Sequence, residues 1–435
     1  MPCDKRSYTN IGEQLYTCQL PNGLHVCVLP RRDFRRSFAM FATNYGGADR
    51  RFTHAGRLHE TPAGVAHFLE HKLFDMPDGS NALNVLAQNG AQPNAFTSEA
   101  MTAYHFESTS GFYENLESLL TFVSTPYFTP ETVAKEQGII GQEIRMTEDS
   151  PGFAVYVNLM RCLYSTGPLR DCVAGTIESI AEITADTLYA CHAAFYCPSN
   201  MCLAVVGDVD PEAVVSLAER ILPTEGQAAP APDYGIIAGE LPVQARVEKQ
   251  MAVSAPQFLA GVRLPLPEFG PGRLRAQLTS ELAMQYLMGS SSPLFSALYE
   301  EGLVRNDFDY EISTAAGERV LLLGGESRDP DAVLARVLEA AAGVSAGLDE
   351  ARFERVRRAL YGRYLRRLED FDQTAVDLVD GIFGGWCPLE AFEVLGQITA
   401  ADCMGLLAEA LQGPRMALSI GTPMVDKTEN ATYNE

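Results

Sequence analysis

The feature that most constrains the fold is a run of chain breakers at the middle of the sequence. Pro223, Gly226, Pro230, Pro232, Gly235, Gly239, Pro242 and Pro256 stand within 34 residues, and neither a helix nor a central strand runs through such punctuation. The chain of 435 residues is therefore expected to form two near-equal bodies: residues 1–222, a segment at 223–256 that links them and opens the second, and residues 257–435. β-like runs at 24–29, 203–207 and 320–324 alternate with long helical patterns rich in Ala, Leu and Glu. That mixture predicts an α+β fold in both halves.

Composition narrows the partners. Apolar residues make up 46% of the chain, as expected of a globular protein, and 33 Lys and Arg face 56 Asp and Glu, a formal net charge of −23. So acidic a surface repels phosphate backbones and anionic headgroups, which argues against nucleic acid and membrane as partners. The first residues, Met1-Pro2-Cys3-Asp4-Lys5-Arg6, are polar and lead into no apolar stretch long enough for a signal peptide or a membrane span. Ten cysteines are scattered without any C-x-x-C, so neither a disulfide framework nor a thiolate zinc site is signalled, and a cytoplasmic location is expected. The sequon Asn430-Ala431-Thr432 reads as an accidental match in a polar tail.

All seven histidines lie at or before His192, so imidazole chemistry belongs to the first half. This disposes of Gly343-Val344-Ser345-Ala346-Gly347, a match to the G-x-S-x-G nucleophile elbow, because no histidine follows it and a helical run, not a strand, precedes it. A helix end is expected there.

His67-Phe68-Leu69-Glu70-His71 is an H-x-x-E-H sequence, and Thr61-Pro62 ahead of it predicts a helix starting near residue 62. On a helix His67 and His71 share one face, with Cβ atoms about 5–6 Å apart, a separation that lets two imidazoles grip one zinc ion. Glu70 beside them is placed to take a proton from water at the metal without being a ligand itself. A catalytic zinc site needs a third protein ligand. Glu143 is the candidate, seven residues after Glu136 on one stripe of a helical segment at 131–144, with Glu136 a shell further out. Taken alone, the pentapeptide also fits a solvated helix face.

The wider sequence resembles the insulinase/pitrilysin zinc peptidases, or inverzincins, in which the glutamate ligand follows H-x-x-E-H by some seventy-odd residues; here Glu143 stands 72 positions after His71. The resemblance runs through Gly64–His71, Asn94–Ser98, Thr102–Tyr104, Tyr196–Met201 and Val205–Val209, covering essentially the whole first half. It implies His67, His71 and Glu143 as zinc ligands, Glu70 as general base and Glu136 as the supporting glutamate of the catalytic group. It also implies that substrate is held as an added strand along Asn94, Ala95 and Phe96, with Asn94 able to donate near the scissile carbonyl.

Chains of this length in the family look like half of a clamshell, two similar α+β domains that pair with a second, similar chain. The resemblance is nearest to short bacterial members that occur as two unlike subunits, similar to those of the mitochondrial processing peptidase. A dimer is therefore expected. Active members carry an Arg and, seven residues later, a Tyr in the second half; this chain has Tyr299 where the Arg would fall, so that helix is read as packing, with Leu294, Phe295 and Leu298 as its apolar face. The expected function is a zinc metallopeptidase acting on short or unfolded polypeptides. The alternative is a non-catalytic binding or assembly subunit of a paired complex.

Overall fold

The computed structural model describes residues 3–235, 239, 241–344 and 347–424. The first half contributes β1 (Asp4–Tyr8), β2 (Glu13–Gln19), β3 (His25–Pro30), β4 (Ser37–Thr43), β5 (Arg51–His54), β6 (Arg57–Glu60), β7 (Ala91–Thr97), β8 (Thr102–Ser108) and β9 (Met201–Gly207). Seven of these form one sheet in the order β1-β2-β3-β9-β4-β8-β7, which leaves β7 at an open edge. From the middle segment and the second half come β10 (Ala231–Pro232), β11 (Arg246–Met251), β12 (Gln257–Leu264), β13 (Asp309–Ala315), β14 (Glu318–Glu326) and β15 (Ala417–Pro423). The last five make a second sheet, β11-β15-β12-β14-β13. The fold is α+β, built as two helix-backed sheets.

The breaker-rich middle is more ordered than its punctuation suggests. Ala231–Pro232 pairs with β5 beside β6 in a small sheet on the first half, and β11 runs parallel to β15 at the edge of the second sheet. Edge positions tolerate proline because one side of the strand donates to nothing.

β3, β4 and β9 are apolar almost throughout and buried along nearly their whole length, so the first sheet has two faces to cover. One face packs on helices of its own half, among them Val65–Lys72 and Phe112–Ser124. The other is covered from the second half: Phe371, Ala375, Leu378 and Val379 of the helix Phe371–Gly384 lie on Phe38, Met40 and Val206. The debt is returned by the helix Pro151–Leu163, which follows the first half's chemistry-bearing segment yet packs on β11, β12 and β15. A Cβ on Gly261 in β12 would stand 3.1 Å from both Leu159 and Leu163, so glycine sets how closely that helix approaches. Each half thus lends one helix to the other.

Smaller expectations resolve as follows. The helix Pro330–Gly343 ends at the first glycine of the G-x-S-x-G match, so a helix precedes it, while Ser345 and Ala346 lie outside the described residues, as does the sequon at 430–432. All ten cysteines are free thiols. In the helix Pro293–Glu300, Leu298 is buried, Leu294 and Phe295 pack on the second core, and Tyr299 is exposed. Among the described residues no single helix is long and apolar enough to cross a membrane.

Candidate metal centre

The histidine helix spans Val65–Lys72 and not a segment from residue 62. Thr61 is spent elsewhere: its N–H and hydroxyl both donate to the carbonyl of Arg50, at 2.8 and 3.0 Å. The helix is entered instead through Gly64, whose φ of 96° lies in the left-handed region, and whose Cβ, were there one, would stand 2.6 Å from the carbonyl oxygen of Ala174. Only glycine satisfies both demands. Ser179 then ties this turn down by donating to the Ala63 carbonyl at 2.8 Å. Val65, Ala66, Phe68 and Leu69 face the core, which leaves His67 and His71 on the opposite, partly open side with ring centroids 4.6 Å apart.

The glutamate helix, Pro130–Glu148, starts at a capping box between Thr129 and Thr132 with Pro130 in its first turn. It brings Glu143 up to both imidazoles: Oε1 lies 3.4 Å from His67 Nε2 and Oε2 lies 3.6 Å from His71 Nε2. One turn-pair earlier, Glu136 Oε1 accepts a hydrogen bond from His71 Nδ1 at 3.1 Å. A carboxylate can only accept, so the proton sits on Nδ1 and the neutral ring offers its Nε2 lone pair to the space shared with His67 and Glu143.

Donor atoms of His67, His71 and Glu143 all fall within 4.8 Å of one another. Ligands about 2.0–2.2 Å from a shared tetrahedral ion stand about 3.3–3.6 Å apart, so the observed 3.4 and 3.6 Å suit a zinc ion. Burial pulls His71 down, but the bond to Glu136 and the charges of Glu70, Glu136 and Glu143 outweigh it and hold His71 above its ordinary value. The Glu143 carboxyl is held below the usual range by its bond to His67. Both directions mark a place that favours positive charge.

Glu70 lies between the histidines, 7% exposed. The Thr97 hydroxyl donates to its Oε2 at 2.5 Å, so one carboxylate oxygen is fixed while the other accepts no hydrogen bond among the described residues. Sequence reading passed over Thr97, although the signal was there: side chains alternate along a strand. Ala95 packs on the core beneath the histidine helix and Phe96 on the opposite face of the sheet. Two residues on from Ala95, Thr97 must point the same way, toward Glu70. Behind Glu70, Tyr104 and Tyr196 share a 3.0 Å hydrogen bond, and both hydroxyls are pushed up, first by burial and in part by the Glu70 charge.

Asn94, Ala95 and Phe96 lie in β7, the sheet edge that packs against the histidine helix. Asn94 is exposed in mid-strand, not at a strand start, and its Oδ1 accepts from the N–H of Ala95 at 2.9 Å. The outer backbone groups of β7 face no neighbouring strand among the described residues.

Comparison with known proteins agrees with this architecture. Residues 52–177 match the family model described as Insulinase (Peptidase family M16), and residues 182–360 match that described as Peptidase M16 inactive domain. The uncharacterized zinc protease YmfH of Bacillus subtilis (strain 168) is 35% identical over 419 residues, covering 94% of this chain and 97% of that protein. The crystal structure of an M16-like peptidase from Alicyclobacillus acidocaldarius superposes with a TM-score of 0.89 at 31% identity, covering 98% and 99% of the two chains. Pitrilysin shares the fold, with a TM-score of 0.77 at 16% identity, and this chain, covered to 99%, corresponds to 48% of it.

Proposed function

Because the chain belongs to the insulinase family of peptidases, family M16, we propose that it is a zinc-dependent metalloendopeptidase that hydrolyses peptides or unfolded polypeptides. The observation that carries this reading is the convergence of His67, His71 and Glu143 donors beside a carboxylate that is not itself one of them, Glu70. When bound, zinc supplies Lewis acidity, polarising a carbonyl and lowering the pKa of water.

The rest falls to the protein's own groups. His67, His71 and Glu143 would hold the ion, and Glu136 keeps His71 in the tautomer that can ligate. Thr97 fixes one oxygen of Glu70. The other takes a proton from the attacking water and delivers it to the leaving amine, the work of a general base and then a general acid. The free edge of β7 accepts an extended peptide as an added strand. Backbone pairing of that kind ties affinity to main chain more than to side chains, which suits a peptidase of broad sequence preference.

The site lies at the surface of one clamshell half. A second, similar chain completes the enclosure in this reading, supported by the correspondence of this chain to about half of pitrilysin. An unlike homologous subunit fits best, since Tyr299 occupies the position where an arginine is expected and that side chain must come from elsewhere. Reducing conditions suit the ten free thiols, in keeping with a cytoplasmic protein.

The test is hydrolysis of a mixed quenched-fluorescent peptide library by the purified chain, alone and with a co-expressed homologue. Turnover that chelator abolishes and zinc restores, and that Glu70→Gln lacks, is the expected outcome. Zinc bound at full occupancy with no turnover in either sample would instead favour a binding or assembly subunit.

A further inference from the structure

A second polar concavity lies at the seam between the two halves and shares no residue with the metal group. Its volume is about 690 Å³, within the range that holds a small organic ligand. It is lined by residues of the helix Phe371–Gly384, which backs the first sheet, and of β14 and the helix Pro271–Met288 of the second half.

Arg319 of β14 lines this cavity and is 3% exposed. Its Nη2 donates to the Ala276 carbonyl at 2.7 Å and to Ser280 Oγ at 2.6 Å, while its Nε and Nη1 have no protein partner among the described residues. No carboxylate forms an ion pair with it there, whereas the neighbouring Arg367 is paired with Asp377. Glu281, whose charge reaches Arg319, has both oxygens engaged, by Gln277 Nε2 at 2.7 Å and by the Tyr364 hydroxyl at 2.9 Å. Burial lowers the Arg319 pKa to about 10, which still leaves it charged at neutral pH. A buried cation with spare donors and no carboxylate in direct contact, Glu281 acting on it only from a distance, is an expensive arrangement unless an anion visits it.

Asp380, on the helix Phe371–Gly384, lines the same cavity and accepts no hydrogen bond from the described residues. It is exposed, and its carboxyl is pushed up by the protein packed near it and by Asp377, against the pull of Arg367. Arg319 and Asp380 do not form an ion pair with each other across the space, and the apolar bodies of Phe383 and Trp386 line the cavity with them.

We propose that this cavity binds a small zwitterion of the amino-acid or dipeptide kind, its carboxylate on Arg319 and its ammonium on Asp380. The assignment puts both charges on one short molecule because Arg319 and Asp380 line the same cavity of about 690 Å³. The inference does not depend on the peptidase reading.

Calorimetric titration of the full-length chain with L-alanyl-L-alanine tests it, with N-acetyl-alanyl-alanine, alanyl-alanine amide and inorganic phosphate as comparison probes. Saturable one-to-one binding of the dipeptide is expected, weakened about tenfold or more by blocking either end, the loss that goes with one charge-assisted hydrogen bond. Arg319→Gln should abolish binding and Asp380→Asn should weaken it by a similar factor. Asp380 is solvent-accessible, so its variant reports even if Arg319→Gln folds poorly. Absence of binding, equal binding of the amide, or phosphate binding as tightly as the dipeptide and indifferent to Asp380→Asn would each overturn the assignment.

Discussion

The two halves of the molecule are built alike and equipped differently. Each is a mixed sheet backed by helices on both faces, with one of those helices on loan from the other half. The first half adds an edge strand, β7, beside a helix that carries two histidines, and a second helix that brings Glu143 to them. The second half has no histidine at all. It keeps its charge in a seam cavity and in core-flanking ion pairs such as Arg263 with Glu318. One scaffold is therefore equipped in two ways, and the difference is carried by a few side chains at one edge of one sheet.

The sharpest way to break this comparison is to remove the carboxylate beside the metal group, to which the proposed chemistry of the first half is assigned. Glu70→Gln should lower peptide hydrolysis by at least about 10³-fold while metal content, measured by elemental analysis, stays unchanged. Equal turnover in the variant would remove Glu70 from the chemistry.

The helix exchange makes the opposite prediction for stability, namely that the halves do not separate. Phe371 is fully buried on the first sheet although it belongs to the second half, and Leu159 is fully buried on the second sheet although it belongs to the first. Phe371→Ala should cost about 3–5 kcal/mol and Leu159→Ala about 2–5 kcal/mol. Each should shift a single denaturant transition that is followed equally by probes in both halves. Two transitions, only one of them moved, would show that the loaned helices do not couple the bodies.

Acid should weaken the whole cooperative unit through a group in the first half. His192 is buried there, its Nε2–H donating to the Val123 carbonyl at 2.9 Å, and burial pushes its pKa down to about 4. The unfolded chain takes up a proton near pH 6.5 that the folded chain refuses, so stability falls as pH drops from there toward 4. Between pH 7 and pH 5 this one group accounts for about 2 kcal/mol. His192→Gln, which cannot titrate, should show a correspondingly flatter pH dependence of unfolding than the unmodified chain.

The smallest expected effect is Thr97→Val, which frees Glu70 without removing it. The catalytic rate should fall about tenfold, in the range typical of groups that orient a reacting residue, with zinc affinity unaltered. A loss as large as that of Glu70→Gln would make Thr97 part of the reacting group itself.

Much of this was legible before any coordinates, and the reasons are physical. H-x-x-E-H and the Glu136/Glu143 pair are read from helical pitch, which local sequence dictates, and both helices form. The buried strands β3, β9 and β14 announce themselves as apolar runs. What stayed hidden depended on contacts between distant segments. The true start of the histidine helix is set by Ala174 pressing on Gly64 and by Arg50 claiming Thr61. The destination of Pro151–Leu163 and Phe371–Gly384 could not be read, because an apolar helix face does not say which sheet it will cover. Thr97 was missed for a lesser reason, since the alternation of β7 already pointed it at Glu70.

The central claim is that the first half holds a complete metal group of His67, His71 and Glu143. The most direct measurement is zinc titration of the chelator-stripped, full-length chain, beside its His67→Ala, Glu143→Ala and Glu70→Gln variants. One zinc per chain for the unmodified protein and for Glu70→Gln, with site occupancy lost in the other two, is the predicted result. Zinc retained in full by His67→Ala and Glu143→Ala, or no zinc bound by any of the four, would contradict it.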